Sequence, residues 1–187
     1  RQTSNEAQRL AGKRGAKLAE KFVRQYYEHV STTDLAERSH ARLAGDAMAM
    51  LKLSGRRKPG QIIIDVRDPG GLDAGNASLH SVVDILSDNM PFLLDSSSAE
   101  LTRLGHSVHL IIHPVYRTRR DKTGKLQDFF AGNQTGAGVQ NESMMSITIN
   151  RQDDPARIKE IEANLQSVLG DVYAAVEDWQ AMRAKVQ

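Results

Sequence analysis

The chain has 187 residues, of which 40% are hydrophobic and 26% charged, a composition typical of soluble globular proteins that excludes wholesale disorder. Its apolar runs, such as residues 110–112, are too short to cross a bilayer. The absence of cysteine excludes disulfides, thiolate nucleophiles and cysteine-bound zinc, and it agrees with a cytoplasmic location. The net charge of +2 conceals an asymmetry, because residues 1–58 carry 13 Lys/Arg against 6 Asp/Glu (a balance of +7) and residues 59–187 carry 12 against 17 (a balance of −5).

The basic N-terminal part has helical periodicity. Apolar residues from Leu10 to Val30 predict an amphipathic helix over residues 5–30, and residues 31–34 offer capping side chains for a second helix from about Leu35 to Leu53. We interpret residues 1–58 as a helical hairpin, closed by a linker at 54–60, that precedes a domain over 59–187. A basic arm can bind nucleic acid, an acidic partner or its own body. The chain has only four Phe and four Tyr, which offers few stacking platforms for nucleic acid, so we expect docking.

After the linker the pattern changes to short β-branched and alternating runs. A helix is expected to begin at Pro91, with Asp88 or Asn89 as its cap, and to end at Gly105. Residues 117–141 are expected to form a long connection. Four strands are predicted, at residues 62–66, 78–86, 108–116 and 144–149.

The last segment is the most regular. From Ile158 to Val186 apolar residues recur at alternating intervals of three and four, which predicts a seam for packing along another helix. Gly170 costs about 1 kcal/mol relative to alanine, and the sustained pattern favours one continuous helix over two helices that meet there. Because the chain begins at Arg1 and stops inside this pattern, we expect it to be a piece of a longer polypeptide.

The order of elements from residue 61 onward is β-β-α-β-β-α. The first strand can lie at the sheet edge, antiparallel to residues 82–86, so that no strand is needed after the final helix. The sequence therefore predicts an α+β, ferredoxin-like fold: a four-stranded antiparallel sheet with two helices on one face, preceded by the helical hairpin.

Two stretches carry a more specific signal. Residues 87–96, SDNMPFLLDS, join a strand to a helix and resemble the D-x-P-G-L-L turn of ACT domains, which are modules that bind amino acids and regulate metabolic enzymes. The longer run 80–96 resembles the N-terminal region of the large bacterial NAD-specific glutamate dehydrogenases. Further stretches similar to that family lie at residues 111–115, 120–124, 142–145, 151–152 and 174–179.

The resemblance implies a long polypeptide in which ACT-like modules precede a catalytic region that oxidises L-glutamate with NAD to 2-oxoglutarate and ammonium. It implies that this segment is a non-catalytic regulatory or assembly module in a homo-oligomer, with other domains of the same chain as partners. Neither a membrane nor nucleic acid is expected as a partner. The glycines at 68–71 and 132–138 lack the strand–glycine–helix context of a dinucleotide site, so NAD is expected to bind elsewhere in the parent chain. The alternative is a free-standing ferredoxin-like module that binds small molecules or nucleic acid.

The candidate site is the strand–helix turn, as an effector site or an inter-domain contact. Its residues are Asp88, Asn89, Met90, Pro91, Phe92 and Leu93. Unpaired N–H groups at a helix start favour a carboxylate, and Asp88 or Asn89 could accept from the ammonium of an amino-acid effector. The turn departs from the ACT pattern at Phe92, where glycine is usual. Because a benzyl group fills the space that glycine leaves, we expect pairing between modules in preference to effector binding.

Other polar signals are interpreted as structural. His109 and His113 would lie about 13 Å apart on one strand face and cannot share a metal ion, so no metal site is expected there or at His80 and His106. Asp84 is expected on an exposed strand face, and no catalytic residue is expected. Two short runs complete the set: residues 96–98 are expected to pack a helix on the sheet, and residues 117–122 to form a solvated β-arm.

Overall fold

The computed structural model describes residues 1–36, 38–68, 79–130, 136 and 138–186 of the chain. Five helices lie in this part: α1 (Gln2–Tyr26), α2 (Thr32–Ala36), α3 (His40–Leu53), α4 (Leu93–Arg103) and α5 (Pro155–Val186). The same part contains six strands: β1 (Ile63–Arg67), β2 (His80–Asp88), β3 (Val108–Ile112), β4 (Val115–Arg120), β5 (Leu126–Phe130) and β6 (Val139–Asn150).

The strands form one antiparallel sheet in the order β1-β2-β6-β4-β5, with β3 also paired to β6. The edge position of β1 is confirmed, because Ile63 pairs with Leu86 and Arg67 with Val82. The α+β, ACT-like class is confirmed as well, although the sheet has two strands more than the sequence predicted. The additional strands are β4, which takes over the end of the third predicted strand, and β5, which lies in the predicted connection.

The strand predicted over 108–116 is divided at Pro114. Its two parts, β3 and β4, pair in succession with the 12-residue strand β6. Proline has no N–H to donate to a sheet ladder, but its carbonyl still accepts from the amide of Met144 at 3.1 Å. The ladder is therefore interrupted at the proline, while β6 keeps both parts antiparallel to it in one sheet.

Helices cover both faces of the sheet. One core cluster packs α1 and α3 against residues such as Leu86 and Met144, and the other packs α4 and α5 against Ile85 and Met145. Neighbouring residues of β2 and β6 point to opposite faces, so both central strands are buried almost throughout. The sheet is thus the middle layer of three, and the basic N-terminal helices dock on the chain's own body.

The aromatic side chain of Phe22 anchors α1 on the sheet. Its ring is fully buried and stacks on Tyr116 with ring centroids 4.9 Å apart, while Phe129 meets it edge-on at 5.6 Å. The hydroxyl of Tyr116 donates to the carbonyl of Phe22 at 2.9 Å. Ring packing and a hydrogen bond to the helix backbone together fix where α1 lies.

Asp84 was expected on an exposed strand face, and this prediction is wrong. The docked helices cover it, so it is 1% exposed and receives the Nε of Arg67 at 2.7 Å. Arg67 also donates to Asp46 of α3 at 2.9 Å, and the hydroxyl of Ser146 hydrogen-bonds with Asp84. Burial raises the pKa of the Asp84 carboxyl, against the lowering effect of Arg67.

The helix boundaries differ in part from those predicted. The second predicted helix is two, α2 and α3, and Ser39 caps α3 by accepting from the amide of Arg42 at 3.1 Å. By contrast, α5 runs unbroken through Gly170, as the apolar pattern favoured. Its 32 residues correspond to a length of about 48 Å.

Gly124 supplies a test of how the linker is held to the β4–β5 turn. Its φ is +82°, and a Cβ atom there would lie 2.5 Å from the carbonyl oxygen of Arg57. We expect Gly124→Ala to lower the free energy of unfolding by clearly more than Gly105→Ala, measured by urea denaturation. Gly105 has a similar φ of +84° but an added Cβ would meet nothing within 4 Å, so its cost is the left-handed strain alone, about 1–2 kcal/mol. Equal losses in the two variants would contradict the close approach.

Candidate functional site

The predicted turn between β2 and α4 divides into an inner and an outer part. Leu93 is 1% exposed and belongs to the core between the sheet and the helices α4 and α5, and Met90 packs against the same core. Pro91 and Phe92 lie on the outside and line a groove. Asn89 is exposed, and its backbone N–H donates to the backbone carbonyl of Asn141 at 2.9 Å. The six predicted residues therefore share a turn, but they do not converge on one ligand position.

Asp88 holds the linker and does not cap the helix, so its predicted capping role is wrong. One carboxylate oxygen accepts from Nη2 of Arg57 at 2.5 Å, and the other accepts from the amide of Gly60 at 2.7 Å. Asn89 is no cap either, since the residue before the first turn of α4 is Phe92 and no side chain accepts from that turn. Both oxygens of the carboxylate that was expected to receive an effector's ammonium group are thus engaged by the chain itself.

Behind Asp88 lies a buried ionic cluster that the sequence analysis did not find. Arg57 is fully buried and donates to Oε1 of Glu142 from Nε at 3.0 Å and from Nη2 at 2.7 Å. Arg120 donates to the two oxygens of Glu142 at 2.7 and 2.8 Å. Arg120 was expected in a solvated arm, but its side chain is 4% exposed, because the linker folds over the β4–β5 turn.

The charges in this cluster balance, with two guanidinium groups against the carboxylates of Glu142 and Asp88. Burial raises the pKa of Glu142, but the hydrogen bonds from Arg120 and the positive charges of both arginines outweigh it and hold that pKa below its usual value. A cluster paired in this way joins the linker, β2, β4 and β6. It fixes the end of β2, and with it the position from which the turn starts.

Phe92 adopts a backbone conformation that side chains other than glycine rarely take. Its φ is 67° and its ψ is 0°, the one positive φ of a non-glycine residue in the part of the chain that the structure describes. Glycine, the residue of the ACT pattern at this place, would adopt such a left-handed conformation without steric cost. For phenylalanine the strain is about 1–2 kcal/mol, and the ring is nevertheless 64% exposed.

The exposed ring borders an apolar groove of about 870 Å³ between α4 and α5. The wall on α5 is formed by Val172, Ala175, Val176 and Trp179, and the wall on the α4 side by Pro91, Phe92, Asp95, Ser96 and Ala99. The candidate residues predicted from the sequence lie only in the wall on the α4 side, and the wall on α5 was predicted as a packing seam and not as part of the site. Its signal was the three-and-four spacing of apolar residues, which continues past Gly170.

The histidines do not meet in one cluster. His113 hydrogen-bonds through Nε2 to the hydroxyl of Ser143 at 2.7 Å, and burial lowers its pKa. His80 and His109 pack edge to face with ring centroids 4.4 Å apart, and His106 is buried beside Gln152. Among the described residues there is no group of three or more metal-binding side chains.

Two further predictions can be compared with the described residues. Ser97 is fully buried in α4, which agrees with the packing role expected for residues 96–98. The glycines at 70, 71 and 132, considered as part of a dinucleotide site, lie outside the described residues. Within the described part of the chain, none of the helices combines the length and the hydrophobicity needed to traverse a bilayer.

Comparison with known proteins identifies the relatives of the chain. The family model of the glutamate dehydrogenase ACT1 domain matches residues 22–165. An NAD-specific glutamate dehydrogenase of Halomonas elongata is 34% identical over 166 residues, and one of Pseudomonas aeruginosa is 30% identical over the same number. Each match covers 89% of this chain and 10% of the relative, so the chain spans about a tenth of the length of these proteins. The family resemblance expected from the sequence is confirmed.

Two substitutions at position 92 separate the strain of the backbone from the contribution of the ring. Both Phe92→Ala and Phe92→Gly remove the benzyl group, but only glycine relieves the left-handed conformation. We expect the glycine variant to be more stable than the alanine variant by about 1 kcal/mol in urea unfolding. An alanine variant as stable as the glycine variant would show that the turn carries no such strain.

Glu142→Gln is expected to be among the most damaging single changes. It leaves the buried Arg57 and Arg120 without their shared negative charge, which predicts a loss of about 3–5 kcal/mol in the free energy of unfolding. Glu160→Gln is the matched control, because Glu160 forms a half-exposed pair with Arg157 on α5 and its loss should cost less than about 0.5 kcal/mol. Losses of similar size in the two variants would rule out the cluster as a stabilising element.

The same carboxylate predicts the acid limit of stability. The pKa of folded Glu142 lies below its usual value of 4.5, so the stability that it contributes is complete above that pH and is lost as the pH falls through the folded pKa. Urea midpoints measured between pH 7 and pH 3 should fall more steeply for the unmodified chain than for the Gln variant. Parallel curves would mean that Glu142 has the same pKa in both states.

Proposed function

We propose, from the premise that this chain belongs to the glutamate dehydrogenase ACT1 domain family, that it is a non-catalytic regulatory and assembly module. The parent polypeptide would be an NAD-dependent glutamate dehydrogenase that oxidises L-glutamate to 2-oxoglutarate and ammonium, as the names of the relatives suggest. The observation that carries the proposal is the strained and exposed Phe92 at the border of an apolar groove. Strained residues are retained where the surrounding structure uses them, and an exposed aromatic ring is a common anchor of protein interfaces.

The geometry of the turn favours assembly over effector binding. An amino-acid effector needs an acceptor for its ammonium group and donors for its carboxylate. The acceptor expected at Asp88 is already occupied by Arg57 and Gly60, and the ring of Phe92 stands where ACT turns leave space with glycine. An apolar groove beside this turn suits a protein side chain better than a zwitterion. The partners we propose are other domains of the same polypeptide, within a homo-oligomer in the cytoplasm.

The chemistry of the dehydrogenase is assigned to the remainder of the parent polypeptide. The chain spans about a tenth of its relatives' length, so nine-tenths of a related protein is available for the glutamate and NAD sites. Neither of its glycine-rich stretches stands between a strand and a helix in the sequence, which is the context that a pyrophosphate-binding turn requires. We therefore place NAD binding outside this segment.

A ligand screen distinguishes an assembly role from regulation by a bound amino-acid effector. A ligand present at 100 times its dissociation constant stabilises the folded state by about 2.7 kcal/mol, which a thermal unfolding experiment detects readily. We expect none of the common amino acids at millimolar concentration to raise the melting temperature of the chain. An amino acid that raises it, and whose effect is lost in Asn89→Ala but kept in the Asn164→Ala control on α5, would overturn assembly in favour of effector binding at the turn.

A turnover measurement tests the location of the chemistry. Glutamate and NAD should give NADH with the full-length polypeptide and none with this chain alone. NADH formation by the chain at a rate proportional to its concentration would contradict a non-catalytic role.

A further inference from the structure

The C-terminal half of α5 carries an apolar stripe that is partly exposed in the described part of the chain. In the first half of the helix Ile161, Leu165 and Leu169 are fully buried against the sheet and α4. The stripe continues with Val172 and Val176, and then with Trp179 and Met182, which are 55% and 60% exposed. Phe92 lines the same groove as Val172, Val176 and Trp179, and an exposed apolar surface of this kind is typical of interaction sites.

The walls of the groove carry charge of one sign. Residues 91–99 and 171–182 contain four carboxylates and no lysine or arginine. The four acidic residues are Asp95, Asp171, Glu177 and Asp178. Asp95 lines the groove itself, and Asp171 and Asp178 are exposed on α5. An occupant with basic flanks is attracted to such a rim, whereas an acidic one is repelled.

We propose that this groove is the docking site for an amphipathic helix with an aliphatic stripe and basic flanks, supplied by the remainder of the same polypeptide. The inference rests on the proposed assembly function and names the surface and the kind of partner. A helix fits because the apolar residues from 172 to 182 extend along α5 for about 15 Å, or three turns, with the spacing at which helices pack side by side.

Charge and tethering decide between this occupant and a second copy of the chain. Two copies paired through the same groove would bring eight carboxylates together, with no lysine or arginine from the groove walls to neutralise them. A helix of the same polypeptide carries no such penalty when its flanks are basic. Because the chain spans a tenth of its relatives' length, most of a related polypeptide is covalently linked to the groove, at an effective concentration on the order of millimolar.

Single cysteines allow the groove to be probed, because this chain has none of its own. Ala175→Cys places a thiol in the groove, and Ala163→Cys places one on the exposed side of the same helix as a matched control. The rate of alkylation of each thiol is measured by mass spectrometry of the peptide that contains it, in the native full-length polypeptide and in this chain alone. In the full-length polypeptide we expect the thiol at position 175 to be alkylated at least tenfold more slowly than the thiol at position 163. In the chain alone we expect the two alkylation rates to be similar.

Each other outcome overturns a stated part of the proposal. Equal rates at the two positions in the full-length polypeptide would mean that nothing docks in the groove. Protection in the chain alone that grows with its concentration would identify the occupant as a second copy. The double substitution Asp95→Lys and Asp178→Lys should reduce the protection severalfold, and undiminished protection would exclude basic flanks. None of these results depends on NADH formation or on an effector, so the groove can fail as a docking site while the non-catalytic assignment stands.

Discussion

Two buried guanidinium groups that share the carboxylate of Glu142 hold together parts of the chain that are distant in sequence. Arg57 brings the linker, Arg120 brings the β4–β5 turn, and Glu142 lies in the central strand β6. Buried charges of this kind are tolerated only when they are paired. Displacing the linker would remove Arg57 from Glu142 and Asp88, and the desolvation penalty of these carboxylates would be less well compensated. The edge strand β1, which begins six residues after Arg57, therefore starts from a fixed point and reaches its place beside β2.

A second ionic cluster acts on the other side of the same edge. Arg67, at the end of β1, bridges Asp84 on β2 and Asp46 on α3, and so ties the N-terminal helices to the sheet. With the aromatic contacts of Phe22 this explains why the N-terminal arm lies against its own body: its apolar face supplies a core layer, and its Asp46 pairs with Arg67 of the sheet. The result is a sheet buried on both faces, in place of the one-sided ferredoxin-like sandwich that the sequence predicted.

The local pattern of the sequence was sufficient for the α+β class and for most of the elements, but not for β4, β5 or the division of the second predicted helix. The edge position of β1 followed from the missing last strand, and the continuity of α5 followed from its apolar spacing. What could not be predicted depends on which element covers which. Asp84 and Arg120 were expected to be solvated because their ion-pair partners, Arg67 and Glu142, are 17 and 22 positions away in the chain, and no local pattern shows such a contact. Pro114 is a local signal for the break in the third strand, because proline has no N–H to donate to the ladder.

The turn at Phe92 shows how these constraints reach the surface. Behind it, Asp88 is fixed by Arg57 and Gly60, and beneath it Leu93 is fixed in the core, so the residue between them has little freedom to relax its strained backbone. A phenylalanine held in this way loses little additional conformational entropy when a partner covers its ring. The buried cluster that secures the linker thereby also presents a rigid apolar anchor at the border of the groove. The stability of the fold and the readiness of this surface for assembly depend on the same four charges.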